Sequence, residues 1–167
     1  MSDQTTKNLR AAFAGESKAN RQYLAYAQKA EEEGFGNLAR LFRAIAESET
    51  VHAINHLKCV GVGSSLENVE ASLKGETDEF TSMYPMFMDQ AKRDTNNDAL
   101  KSFFWANEAE KVHADFYDKS LTALKQGKDI EIGDLHVCSV CGNTVEGTPP
   151  EKCPVCGESG DRYFQTA

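Results

Sequence analysis

The chain has 167 residues, 40% of them hydrophobic, which suits one full-size domain with a core of its own, or one domain with a small appendage. A formal net charge of -8 and a pI near 5.0 argue against nucleic acid as a partner, because no basic face is available to neutralise phosphates. No run approaches the ~18 apolar residues of a membrane span, and the polar stretch Met1 to Lys7 lacks the apolar centre of a targeting segment, so a cytoplasmic protein with no membrane partner is expected.

Residues from about Gln4 to Glu33 carry Leu9, Phe13, Ala19, Tyr23 and Ala27 on one helical stripe, with Glu16 and Asn20 on the same stripe. Gly34-Phe35-Gly36 ends that helix, and Asn37 is the expected N-cap of a second, about Leu38 to Val60, with Leu41, Phe42, Ile45, Glu49, His52 and His56 on one side. Gly61-Val62-Gly63 stops it. Ser64-Ser65-Leu66-Glu67 reads as a capping box opening a third helix that continues to about Arg93, with a kink expected at Pro85. Asp94 to Asp98 breaks the chain before a fourth helix, about Ala99 to Lys125, which lines up Phe103, Ala106, Glu110, His113, Tyr117 and Leu121.

The character changes after Gln126-Gly127. The segment from Cys138 onward holds four cysteines, three of the four prolines and four glycines, with no helical period. Such a stretch cannot hold itself together by core burial and is expected to be stapled by a metal. We therefore divide the chain into a helical domain over residues 1–126, a linker over 127–134 and a four-cysteine domain over 135–167.

An internal repeat carries the chemistry. Glu49-x-x-His52 recurs as Glu110-x-x-His113; Glu16 precedes the first copy by 33 residues and Glu76 precedes the second by 34. Residues three apart share a helix face, so each copy directs one carboxylate and one imidazole at one point. A single Glu on a helix is ordinarily a solvated residue and a single Glu-x-x-His is ordinarily chance, but the twofold recurrence on apolar stripes reverses both readings. One Glu from each of two helices and a Glu-x-x-His from each of two others is the ligand pattern of carboxylate-bridged di-iron and di-manganese bundles. Several buried carboxylates would repel one another without cations, whereas two divalent metals hold them deprotonated, and carboxylate oxygen with one imidazole per metal suits iron or manganese. Glu79 has only Ala19 opposite it in the first half. Tyr23 and Tyr84 are placed either to fill the core or to hydrogen-bond ligand carboxylates, and Cys59 reads as a small hydrophobe.

Cys138-x-x-Cys141-Gly142 and Cys153-x-x-Cys156-Gly157 are two metal knuckles, a spacing that points to a reducing compartment rather than to disulfides. Four thiolates bind zinc or a single iron, and spacing does not choose between a structural and an electron-carrying centre.

Over nearly its whole length the chain resembles the rubrerythrins. The resemblance rests on Ala12-Phe13-Ala14-Gly15-Glu16-Ser17, Glu49-x-x-His52, Gly75-Glu76-x-x-Glu79 with Met83-Tyr84-Pro85, Glu110-x-x-His113 and the four-cysteine tail. It implies an all-α, ferritin-like four-helix bundle followed by a small rubredoxin-like domain, and a non-haem di-iron peroxidase of oxidative-stress defence that reduces hydrogen peroxide to water. It implies two non-haem irons and one iron in the four-cysteine site, with Cys138, Cys141, Cys153 and Cys156 as its ligands. Glu49 and Glu110 are then the bridging carboxylates, Glu16 a ligand of the first iron, and Glu76 and His113 ligands of the second. Glu79 and His52 are the pair that exchanges at one iron with its oxidation state, and with Tyr23 and Tyr84 they are the candidate catalytic residues. An upstream electron donor is implied: a rubredoxin, a ferredoxin or a flavoprotein reductase. Two features depart from the family: Asn143 stands where an aromatic residue usually follows the first knuckle, and eleven residues separate Cys141 from Cys153, slightly few, which leaves zinc open.

Chain length adds a geometric expectation. If the third helix starts at the capping box, only Gly61 to Ser65 join it to the second, and five residues reach at most ~18 Å. The second helix is ~35 Å long, so hairpins exchanged between chains of a homodimer or larger assembly are expected, unless Leu66 to Lys74 is itself a crossover. The fourth helix extends ~22 Å beyond Glu110, which places the tail far from its own metals and favours electron delivery from a neighbouring subunit. The rival functions are iron oxidation and storage, which uses the same ligand pattern but has no need of Glu79 or the tail, and a non-enzymatic bundle with a structural zinc.

Overall fold

Small residues decide how the first half closes. The computed structural model describes residues 3–166 and divides into two compact units, one ending at Val62 and the other beginning at Gly63. In the first, α1 (Gln4–Glu32) and α2 (Gly36–Val60) form a hairpin. Asp3 caps α1 by accepting the Thr6 amide at 2.8 Å. Gly34, at φ 83°, ends it: the Gly34 and Phe35 amides turn back to the carbonyls of Glu31 and Ala30. That turn leads straight into α2, whose first bond runs from the Ala39 amide to the Phe35 carbonyl. Asn37 therefore does not cap α2; it lies inside the helix and accepts a hydrogen bond from Arg40.

The seam of this hairpin is built from Ala27 and Ala30 on one side and Ala39, Ala46 and Ala53 on the other, all buried. The three α2 alanines fall seven apart and so line one stripe. Buried Asn20 locks the register, its amide donating at 2.8 Å to both the Ala46 carbonyl and the Thr50 hydroxyl. The larger residues that the periodicity picks out stay at the surface of the unit, Leu41 at 55% exposure and Ile45 at 38%. Two helices offer each other one seam, so a second apolar face goes uncovered.

In the second unit Ser64 and Glu67 make the expected capping box, and α3 runs Ser65–Asp78. Leu66 to Lys74 is thus helix and not a crossover. The continuous third helix is interrupted, without a break in the chain's course, by a π turn over Glu79–Met83, after which α4 runs Tyr84–Arg93. The Tyr84 amide reaches back five residues to the Glu79 carbonyl. Pro85 sits in the first turn of α4, where its missing amide is tolerated, so the π turn replaces the expected kink. Asn96 caps α5 (Asn97–Lys125), which packs along α3 and α4. Ala91, Ala109 and Ala114 are buried, and Tyr84, Phe87 and Phe103 form an aromatic group with centroids 5.5 to 6.4 Å apart.

After Gly127 the chain reverses. Ile130 and Ile132 return along α5 against Phe116 and Ser120, and Glu146 accepts the Gly133 amide at 2.7 Å. A three-stranded antiparallel sheet follows, in the order β2 (Thr144–Glu146), β1 (Leu135–Cys138), β3 (Tyr163–Gln165). The tail therefore does not stay at the far end of α5: the apolar pair in the linker packs it back toward the level of His113 of its own chain. Among the described residues no helix is long and apolar enough to cross a membrane.

Candidate metal centres

In the first unit, the Asn20 lock holds α1 against α2 beside the ligand positions. Glu16, Glu49 and His52 each present a ligand atom, all within 4.8 Å of one another. His52 Nδ1 lies 2.8 Å from Glu49 Oε2, its side chain is 52% exposed, and its Nε2 has no hydrogen-bond partner among the described residues. Tyr23 packs on Phe42 and Tyr26, and its hydroxyl bonds no carboxylate among the described residues. His56 and Cys59 join neither this cluster nor any other found in the described residues.

The second unit gathers Glu76, Glu110 and His113 within the same 4.8 Å. His113 Nδ1 lies 2.6 Å from Glu110 Oε2 and 3.6 Å from Glu76 Oε2, while its Nε2 meets the Thr144 hydroxyl at 3.1 Å. Burial, and then the adjacent Glu110, push the Glu76 carboxyl up to about 7. The hydrogen bond to Glu110 raises His113 against the effect of its burial. Glu110 is also buried, but its bonds with His113 and Glu76 hold it below the ordinary carboxylate range. The converging carboxylates thus favour a proton on Glu76, and Glu76 Oε2 is buried without a hydrogen-bond partner among the described residues. Both observations fit a cation: it would replace the proton and satisfy that oxygen.

Glu79 lies outside the tight cluster, on the π turn, with its carboxyl raised by burial and by the charge of Glu110. Tyr84 follows the same turn. Burial and the charges of Glu110, Glu79 and Glu76 raise its phenol, which keeps it a hydrogen-bond donor, although it bonds no carboxylate among the described residues. The turn also explains the repeat: Tyr23 is seven residues beyond Glu16, and Tyr84 is eight beyond Glu76. The extra residue lies in the turn after Glu79, which itself stands opposite Ala19, so the turn absorbs the one-residue difference between the two halves.

The four cysteine sulfurs lie within 4.8 Å of one another, with Cys138 to Cys156 at 3.8 Å and Cys141 to Cys153 at 3.5 Å, spacings suited to four thiolates around one metal. Gly142 and Gly157 take φ 80° and 77°, which turns each knuckle so that the Asn143 and Glu158 amides point at Cys141 and Cys156. Burial raises Cys141. Cys153 is buried too, yet the amides of Cys156 and Val155 and the phenol of Tyr163 bring its thiol down to about 6. Asn143, 2% exposed, donates to the Tyr163 hydroxyl at 2.7 Å. The polar residue that departs from the aromatic pattern thus holds the tyrosine that serves Cys153.

Two carboxylate–imidazole clusters on helical hairpins and one four-thiolate knuckle are the parts of a rubrerythrin, and the rubrerythrin family profile matches residues 7–121. The chain belongs to the rubrerythrin family. A second profile, the rubrerythrin rubredoxin-like domain, matches residues 136–164. Rubrerythrin-2 of Clostridium acetobutylicum is 34% identical, covering 95% of each chain. Nigerythrin of Nitratidesulfovibrio vulgaris is 33% identical over 95% of this chain and 85% of its own. A solved structure of nigerythrin in a mixed-valence state superposes with a TM-score of 0.58 at 31% identity, covering 99% of this chain and 88% of that one. The Glu/Glu/His clusters are the rubrerythrin di-iron candidates, and the four cysteines form its rubredoxin-like iron site. Sequence reasoning passed over Thr144 and Tyr163. Neither carries a local signal, because each acts on a residue distant in sequence.

Proposed function

We propose that this rubrerythrin is a peroxidase that reduces hydrogen peroxide to water in the cytoplasm, drawing electrons from a one-electron donor such as a rubredoxin, a ferredoxin or a flavoprotein reductase. The observation that carries the reading is the inequality of the half-sites: an extra carboxylate, Glu79, on a π turn beside Glu110, and on the other side a His52 whose ring is held at one nitrogen only. Such a pair suits a ligand exchange. In this reading Glu16 and Glu49 would hold the first metal, Glu76, Glu110 and His113 the second, and Glu79 and His52 would be the pair that exchanges with oxidation state. When bound, the diferrous pair supplies the two electrons that, with two protons, convert one peroxide to two waters. Tyr84, kept protonated among the carboxylates, donates a hydrogen bond toward the reacting oxygens, with Tyr23 in the equivalent position of the other half. Cys138, Cys141, Cys153 and Cys156 hold the electron-carrying iron. Storage of iron would leave both Glu79 and this module without a task.

The ligand division follows the domains 1–126 and 135–167 with a linker over 127–134, and it requires the two half-sites to meet. The helices are joined only by residues 61–64, which reach at most ~14 Å, whereas α2 with 25 residues is ~37 Å long. Together with the uncovered face of Leu41 and Ile45, this supports a homodimer in which each site pairs one chain's α1–α2 hairpin with the partner's second hairpin. The experiment is peroxide consumption by the iron-loaded protein with an NADH-driven reductase. Glu79→Ala is expected to keep its iron and lose turnover by about 10²-fold or more; unchanged turnover removes the exchange, and a wild-type protein inert to peroxide removes the peroxidase.

A further inference from the structure

Hydrogen bonds join the four-thiolate knuckle to the second half-site, and no feature of the helical hairpin requires them. His113 Nε2 lies 3.1 Å from Thr144 Oγ1, and the Thr144 hydroxyl donates to the Gly142 carbonyl at 3.3 Å. Gly142 follows Cys141 directly. Nδ1, facing Glu110 and Glu76, is the ligand atom of this ring; with a metal bound there the proton would stand on Nε2, and every donor along this path would then point toward the knuckle. Thr144 is held from behind by the pairing of β2 with β1, in which it faces Val137, one residue before Cys138. Among the described residues His52 has no such partner on its Nε2, so there the knuckle engages one imidazole of the two.

We propose that Thr144 is the positioning residue of the electron relay: its hydroxyl docks the knuckle on the half-site of the same chain, fixes the His113 tautomer with Nδ1 free for metal, and completes a bonded route from Cys141 to His113. The inference rests on the peroxidase reading for its purpose, since only a metal pair that is oxidised in turnover needs such a relay. Covalent and hydrogen bonds couple two redox centres better than an open gap does, and an outer hydrogen bond on a ligating histidine orients the ring and raises its basicity. Per transfer, one electron leaves the ferrous thiolate iron, which becomes ferric, and reduces one ferric ion of the pair. Two transfers restore the pair, the external donor re-reduces the thiolate iron each time, and no net proton crosses Thr144.

The test uses the full-length protein with Thr144→Val and, as the conservative control, Thr144→Ser. In the zinc-loaded protein, nitrogen-15 NMR is expected to show a His113 Nε2–H that exchanges slowly in wild type and Thr144→Ser and at least about tenfold faster in Thr144→Val. In the fully oxidised iron protein, flash reduction of the thiolate iron bleaches its colour, and the colour returns as the electron moves to the pair. That return is expected to slow about tenfold or more in Thr144→Val, to stay near wild type in Thr144→Ser, and to leave the potential of the thiolate iron unchanged. An unchanged return in Thr144→Val, or equal slowing in both variants, overturns the relay. Peroxide plays no part in either readout, so failure of the peroxidase reading, seen as a protein that does not consume peroxide, is recognised separately.

Discussion

At the scale of single residues, the metal-free second half-site is a proton store with a definite pH signature. Glu76 binds its proton more tightly folded, at about 7, than at its ordinary 4.5, so its contribution to stability is whole below 4.5 and is lost as pH rises through 7. His113, also raised, acts in the same sense; Glu110, lowered, contributes above its ordinary value and loses that contribution only at the acid end. We expect the metal-free protein to be less stable at pH 8 than at pH 5 by about 1–3 kcal/mol, in urea titrations, and Glu76→Gln to flatten that difference. A rise in stability over the same interval would contradict the assignment. Tyr163 gives a second residue-scale test. Its hydrogen bond to Cys153 favours the more negative, reduced state of an iron site, so Tyr163→Phe should lower the potential by roughly 60 mV if the bond contributes about 1.4 kcal/mol, as voltammetry would read.

At the scale of elements, two devices fix the helices: the Asn20 lock and the π turn. Asn20→Ala removes one buried and one part-buried hydrogen bond across the α1–α2 seam, leaving the Thr50 hydroxyl and Ala46 carbonyl only their bond to each other, so a loss of about 1–3 kcal/mol is expected in thermal or urea unfolding. Deleting Ser82 should convert the π turn to regular α-helix. Helix content by circular dichroism should then hold while Tyr84 and Glu79 no longer face the site together, and peroxide turnover should fall; a deletion variant with full turnover would show that the inserted residue has no catalytic purpose. Most of these elements were legible beforehand because their signals are local: the capping box at Ser64, the glycine at 34 and the period of apolar residues each act within one or two turns. The π turn was not, since Pro85 announces a disturbance but not which hydrogen-bond register absorbs it.

At the scale of the whole molecule, the exchange of hairpins has its own test. A chain with Glu49→Ala and a chain with Glu110→Ala each lack one half-site, so each alone should bind no complete metal pair. Unfolded and refolded together, exchanged hairpins would rebuild one intact site in each mixed dimer, whereas hairpins paired within a chain would rebuild none. Recovery of peroxide turnover and of two irons per mixed dimer, beyond the iron of the four-cysteine sites, is the expected outcome. No recovery, with mixed dimers shown to form, would restrict each site to one chain.

The sequence by itself pointed to the candidate clusters, because metal binding demands particular side chains at helical spacing and at the Cys-x-x-Cys interval, and such demands are written locally at Glu49, His52, Glu110, His113 and the four cysteines. It also determined the family. What only the tertiary structure decided is how unequal the two copies of Glu-x-x-His are. The ring of His113 is held at both nitrogens, through Glu110 and through Thr144 from a strand 31 residues away, while His52 is held at one. That difference depends on the linker folding back along α5, where Ile130 and Ile132 lie against Phe116 and Ser120, and a contact between two linker residues and a helix has no spacing that a sequence displays.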